Sequence, residues 1–293
     1  MSTPTTKVSI LHRMSFVETV LKGLGQIMLQ ENSITGLFFI VGISLGSLVM
    51  GASVLLATIV GTLTAIFFGF GKENTKKGLY GFSAALVGAA IMLFFEPVII
   101  SWIFVIVGAM LATIIQHYFI KKNIPVFTLP FVLVTWLIVY TVPMVAPDVL
   151  KAQEPLIPDR IDTLLFAVKG YGQVIFQASL WSGILFLIGV FISSWIAGLY
   201  GFIAALIAGA LSIWFFPEEM IANGLTSYNA ILSAIVFAHR NFKYALWALI
   251  AVILSVAFFI VMIESNIYAL TFPFVAATCL TLLIKAKLNQ NEK

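Results

Sequence analysis

Charge is what this chain has least of. Of its 293 residues only 10% are Asp, Glu, Lys or Arg, while 61% are hydrophobic. Soluble domains carry roughly 25% charged and 45–50% apolar residues, so a water-facing globular surface is excluded. Cysteine is nearly absent too. Cys279 stands alone, which excludes an internal disulfide framework and offers no metal cluster. No Asp, Glu, His or Lys falls clearly mid-span, where it would mark a proton or ion relay. His117 and His239 sit beside loop charges, so they fit the membrane interface better than a relay. No paired carboxylates and no nucleophile–base set stand ready for catalysis, so an enzyme is not expected, nor a cofactor or metal. A net charge of +4 says little about nucleic acid, and none is expected as a partner.

What is there is apolar. The mean hydropathy is +1.09 and 26 residues are Phe. At roughly 20 apolar residues per helical span, the expected class is an all-α polytopic membrane protein with the lipid bilayer as its partner. The N-terminal stretch is not a signal peptide, because Glu18 and Lys22 interrupt any apolar run. Residues 14–33 read as a retained amphipathic segment. No charge occurs from Asn32 to Gly71, which is too long for one helix, so two spans with a turn near Gly51 are expected, Ile34–Met50 and Ala52–Phe70. Further tracts run over Gly78–Phe95, Val98–Ile120, Ile124–Ala146, Gly183–Ile196, Ala197–Phe216, Gly224–Ala238, Tyr244–Ile263 and Ile267–Ile284. That makes ten spans, five on each side of a polar linker over residues 147–162.

Loop charges test the count, since cytoplasmic loops carry excess Lys and Arg. With the N-terminus inside (Lys7, Arg13), alternate loops hold Lys72, Lys76 and Lys77, then Lys121 and Lys122, then Arg240 and Lys243, then Lys285, Lys287 and Lys293. The intervening loops hold Glu96, an acidic linker, Glu218 with Glu219, and Glu264. Both termini are expected in the cytoplasm.

The two halves repeat. Lys22-Gly-Leu-Gly-Gln26 recurs as Lys169-Gly-Tyr-Gly-Gln173 at a shift of 147, and Thr128-Leu-Pro-Phe131 as Thr271-Phe-Pro-Phe274 at a shift of 143. Gly78-Leu79 pairs with Gly224-Leu225 at 146. The closer-looking match of Gly78–Leu86 with Gly198–Leu206 lies at a shift of 120. It breaks those anchors and reads as two similar small-residue packing faces. An odd number of spans per copy makes the repeats inverted, residues 1–146 and 163–293, and points to a pathway at their interface near the midplane. Pro in the Thr-X-Pro-Phe segments breaks helices there, and freed backbone groups are tolerated at that depth only where protein or a water-lined path satisfies them. The segments around Gln26 and Gln173 suit re-entrant half-helices. Thr128 and Thr271 add hydroxyls beside the breaks, and Phe82 with Tyr228 and Leu86 with Leu232 hold matching places. The inventory suits passive passage of a small neutral polar solute.

Pro125-Val-Phe-Thr128-Leu-Pro130-Phe131 resembles the Leu-Pro signature of the urea transporter family. Gly25-Gln26, Gly172-Gln173, Gly78-Leu-Tyr-Gly-Phe82 and Gly224-Leu-Thr-Ser-Tyr-Asn229 resemble its other repeated elements. The resemblance covers most of the chain, and the short length is similar to that of bacterial members, which implies a bacterial cytoplasmic (inner) membrane. It also implies a homotrimer with one channel for urea per protomer, and a slot in which aromatic rings flank the planar solute while oxygens accept its N–H groups. Carried over by motif, the slot takes Phe82, Leu86, Tyr228 and Leu232, with Leu29 and Phe176 at the family's further aromatic position. Thr128 and Thr271 are the central threonines. Gln26 and Gln173 stand at the mouths, followed by Ile27 and Val174. Leu29 departs from the aromatic pattern, and Ser83 stands where Asn229 keeps the family's Asn. A channel for another short amide or ammonia, or an ion-coupled secondary transporter, are the alternatives.

Overall fold

The computed structural model describes residues 4–152 and 165–291. The described residues are mainly helical. The first half contains α1 (Pro4–Gly25), α2 (Ser33–Gly46), α3 (Leu48–Phe67), α4 (Lys72–Lys76), α5 (Phe82–Phe94), α6 (Ile99–Lys121) and α7 (Leu129–Val145). The second contains α8 (Leu165–Gln173), α9 (Leu180–Ser193), α10 (Trp195–Ser212), α11 (Glu218–Ala222), α12 (Tyr228–Val236), α13 (Phe242–Glu264) and α14 (Phe272–Asn291). Order and packing recur: α1 on α2 as α8 on α9, α3 on α5 as α10 on α12, α5 on α6 as α12 on α13. Of the expected linker only residues 147–152 are described. Glu154, Pro155, Pro158, Asp159, Arg160 and Asp162 lie outside the described residues, as does Lys293.

Each of the ten apolar tracts contains a helix, but their lengths differ. Four helices, α3, α6, α10 and α13, are long and apolar enough to cross a bilayer. A fifth span appears if Ser15–Met28 and Ser33–Gly46, bent by 74°, count as one. Helices α5, α7 and α9 are shorter apolar helices. The nine residues of α12 reach only about 14 Å, against a hydrocarbon core of about 30 Å. The outer surface is apolar, with Phe67 85%, Ile99 82% and Trp214 85% exposed, an arrangement that suits lipid rather than water.

The break between the first two tracts is not at Gly51 but at Ser47. Ser47 is extended (φ −157°), its hydroxyl oxygen accepts the Met50 N–H at 3.2 Å, and Gly51 lies inside α3. A capping hydroxyl ends one helix and starts the next, and Gly51 serves packing against Ser44 instead. Ser194 does the same between α9 and α10, accepting the Ala197 N–H. The amphipathic segment is likewise longer than expected: α1 runs on to Gly25 from Pro4. Gly78 lies in a turn at φ 77° while Gly198 is inside α10, so the two look-alike stretches adopt different structures.

The halves meet along α2 and α9. Phe39 and Phe186 stack with centroids 4.2 Å apart. Thr35 Oγ1 donates to the Gly189 carbonyl at 2.7 Å and Ser182 Oγ to the Gly42 carbonyl at 2.8 Å. Small residues and interhelical hydroxyl bonds of this kind hold helices together where lipid removes the hydrophobic drive.

Candidate functional site

Four bulky residues interrupt the helices with left-handed backbone. They are Leu29 (φ 63°), Phe127 (48°), Phe176 (62°) and Leu270 (45°). Each costs of order 1–3 kcal/mol and persists only where its surroundings over-determine it. They form two matching pairs, at shifts of 147 and 143. Leu29 follows a turn in which its N–H donates to the Gln26 carbonyl and Gln30 N–H to Gly25; Phe176 and Gln177 repeat both bonds to Gln173 and Gly172.

The other pair stands directly before the threonines. Thr128 Oγ1 and Thr271 Oγ1 lie 2.6 Å apart and are 3% and 1% exposed. Residues 143 apart in sequence thus share one hydrogen bond at the centre of the molecule. Thr128 precedes α7 and Thr271 precedes α14, so both hydroxyls stand where helical backbone bonding is incomplete.

The glutamines anchor their segments. Gln26 Nε2 donates to the Lys77 carbonyl at 2.9 Å, and Gln173 Nε2 to the Asn223 carbonyl at 2.8 Å. Both acceptors immediately precede a glycine with positive φ, Gly78 (77°) and Gly224 (74°). A Cβ at either would stand 2.4 Å from the backbone nitrogen of Gly23 or Gly170, so only glycine fits. Ile27, Val174, Leu86 and Leu232 are fully buried in the core, and Phe82 and Tyr228 are buried at the first turns of α5 and α12. The Tyr228 hydroxyl donates to the Leu270 carbonyl at 2.6 Å.

Two cavities flank the threonine pair. One, of about 330 Å³, has Leu29, Gln30, Phe127 and Val236 in its wall. The other, of about 510 Å³, has Phe94, Phe176, Tyr228, Phe259 and Leu270. Thr128 adjoins the wall residue Phe127 of the first, and Thr271 adjoins Leu270 of the second. Neither wall contains an Asp, Glu, Lys, Arg or His. Helix α12 reaches from Tyr228 at the larger cavity to Val236 at the smaller, whereas α5 ends with Leu93 and Phe94 at the larger.

Of the twelve residues singled out from the sequence, Leu29 lines one cavity, Phe176 and Tyr228 the other, and the threonines meet between them. Gln26, Ile27, Phe82, Leu86, Gln173, Val174 and Leu232 are not among the walls of either. Phe127, Leu270 and Gln30 were missed. Their signal was present: Phe127 and Leu270 stand one residue before the threonines, at the same shift, and Gln30 recurs as Gln177 at a shift of 147.

With this geometry in view, comparison with known proteins is decisive. The profile of the urea transporter family matches residues 17–286. The chain belongs to that family. Its members are membrane transporters, not enzymes. Urea transporter 1 of sheep (Ovis aries) is 27% identical over 303 residues, covering 94% of this chain and 78% of the relative. The goat (Capra hircus) protein of that name gives the same figures. That of the rat (Rattus norvegicus) is 26% identical over 299 residues, covering 92% of this chain and 77% of its own.

Proposed function

We propose that this family member is a passive channel that carries urea down its gradient through one narrow path per protomer. The observation that carries the reading is the buried Thr128–Thr271 pair between two cavities with uncharged walls. Urea presents N–H donors and a carbonyl acceptor. Each polar group left unsatisfied away from water costs about 1–3 kcal/mol on protein scales, so its hydrogen bonds must be replaced one by one. Threonine hydroxyls, Gln26 and Gln173 oxygens and backbone carbonyls at the helix breaks do this without charge. A hydrated ion gains little from such walls and loses far more solvation. Leu29 at one cavity and Phe176 with Tyr228 at the other supply flat apolar walls that suit a flat solute, and Phe82, Leu86, Leu232, Ile27 and Val174 belong to the slot by their motifs.

The proposed frame is ten membrane-crossing segments in two inverted repeats, residues 1–146 and 163–293, with α1 and α8 ending as re-entrant half-helices. That α5 ends at the larger cavity, where α12 begins, supports the inversion. The alternation of loop charge supports both termini in the cytoplasm and a cytoplasmic membrane as the location. A homotrimer completes the proposal, on the family resemblance.

Flux into proteoliposomes tests it. Urea-driven volume recovery should proceed at the same rate with and without Na⁺ or pH gradients. Dependence on either gradient would replace the channel by a coupled transporter.

A further inference from the structure

The two helix breaks are built alike in backbone and unlike in side chains. In the second half, Asn229 bridges the break. Its Oδ1 accepts the Phe274 N–H at 3.1 Å, and its Nδ2 donates to the Leu270 carbonyl at 3.2 Å. Tyr228 adds its hydroxyl to the same carbonyl. One side-chain carboxamide thus satisfies a free donor and a free acceptor of the backbone.

The first half repeats the backbone. Phe127 shares the left-handed conformation of Leu270. Leu129 N–H donates to Val126 at 2.9 Å where Phe272 donates to Ala269 at 3.0 Å. Val132 donates to Thr128, and Val275 to Thr271, both at 3.1 Å. The bridge is missing. Phe82 has no hydroxyl, and Ser83 is too short to span the pair. Among the described residues no hydrogen bond engages the Phe131 N–H or the Phe127 carbonyl, although Phe131 is fully buried. Native proteins leave few buried N–H groups unpaired, so this pair calls for a partner from outside the chain.

A third polar group is bonded to Ser83. Gln116, 6% exposed, is held against Ser83, whose hydroxyl donates to Gln116 Oε1 at 3.3 Å. Its Nε2 donates to no group among the described residues. Helices α6 and α13 have the same bounds at a shift of 143, and at that shift Gln116 matches Phe259. Phe259 lines the larger cavity and packs edge-on against Tyr228, centroids 6.1 Å apart. The first half therefore places a carboxamide where the second has a hydrocarbon ring.

We infer that the first-half break, made by Phe131 N–H, the Phe127 carbonyl, Ser83 and Gln116, is a binding site for a free planar carboxamide, the group that Asn229 supplies internally in the second half. This deepens the channel reading and rests on it for the identity of urea as the occupant. The solute's carbonyl oxygen accepts from Phe131 N–H and Gln116 Nε2, and its amino group donates to the Phe127 carbonyl. The second break, already filled, offers no equivalent site, so the pathway is chemically one-sided. Guanidinium, which has no acceptor oxygen, does not satisfy the Phe131 N–H.

Backbone NMR of the full chain in nanodiscs, labelled with ¹⁵N-phenylalanine and titrated with urea, tests this. The Phe131 amide, assigned by its loss in Phe131→Leu, should shift saturably, while that of Phe274 stays in place. A fixed Phe131 signal, or equal movement of both, overturns the inference. Ser83→Asn provides the tethered amide and should abolish the Phe131 response. It should also weaken saturation transfer to the acetamide methyl about tenfold, the loss of roughly one good hydrogen bond. Retention of both in a folded Ser83→Asn protein likewise overturns it. The wild-type titration decides alone if Ser83→Asn does not fold. Urea flux is read separately: its absence from the wild type refutes the channel while the Phe131 response still decides the site.

Discussion

Replacing both central threonines by valine separates a transport role from a structural one. Thr128 Oγ1 and Thr271 Oγ1 satisfy each other at 2.6 Å in a site that is 3% and 1% exposed. A single valine leaves one buried hydroxyl without its partner, at about 1–3 kcal/mol of stability. Replacing both by the isosteric side chain removes donor and acceptor together, which is close to neutral. Stability should therefore fall in Thr128→Val and in Thr271→Val and recover in the double variant. Flux should follow the opposite order. On the proposed path a passing urea would exchange hydrogen bonds with these hydroxyls, and in the double variant it would meet only methyl groups. One or two unmade bonds at about 1–1.5 kcal/mol each slow passage roughly tenfold or more, at tenfold per 1.36 kcal/mol. The single variants, with one hydroxyl left, should fall between. Thermal unfolding in detergent gives the first series and stopped-flow light scattering of proteoliposomes the second. Urea flux within twofold of wild type in a stable double variant would remove the threonines from the pathway.

Gly224→Ala should fail to accumulate as folded protein, because the new Cβ would stand 2.4 Å from the Gly170 nitrogen at a φ of 74°; detergent gel filtration reads this, and a monodisperse product would contradict the tight turn. Phe39→Ala removes half of the stacked pair between α2 and α9 and should lower stability by about 2–4 kcal/mol, chiefly as lost packing; an unchanged unfolding temperature would show that the halves do not depend on this contact. In a Cys279→Ala background, Lys76→Cys should react with a membrane-impermeant maleimide only from the cytoplasmic side, and Glu218→Cys only from the opposite side. Labelling of both from one side would reverse the orientation read from the loop charges.

The sequence carried the helices and the pairing of the halves well, because both are written in period and repetition. Each apolar tract contains a helix, and the Thr-X-Pro-Phe copies marked Thr128 and Thr271 as equivalent positions, though α1, from Pro4 to Gly25, lies outside those tracts. Helix ends were less legible. Glycine suggested a turn at Gly51, but a serine that could cap the next helix decided the break at Ser47. Bulky residues with positive φ were not legible locally, since nothing in Leu29, Phe127, Phe176 or Leu270 favours that backbone. It is imposed by partners far along the chain, such as Tyr228 and Asn229 on the Leu270 carbonyl, 42 and 41 residues away.

That distinction explains why Ser83 matters more than its size suggests. In a repeat, a change in one copy leaves the other as its control. Asn229 shows which backbone groups the position serves, and Ser83 leaves those groups without a side chain to serve them. Strain at Phe127 would be difficult to keep if the break had no stabilising partner at all, because Phe82 and Ser83 supply none of the bonds that hold Leu270. The Thr128–Thr271 bond supplies part of the support, and a bound carboxamide supplies the rest. Stability of the first half should then rise with urea at low concentrations, before denaturation sets in, whereas Ser83→Asn should be more stable than wild type without urea and gain nothing from it. An unfolding temperature that only falls with urea in the wild type would show that the break at Phe127 is held by the chain alone.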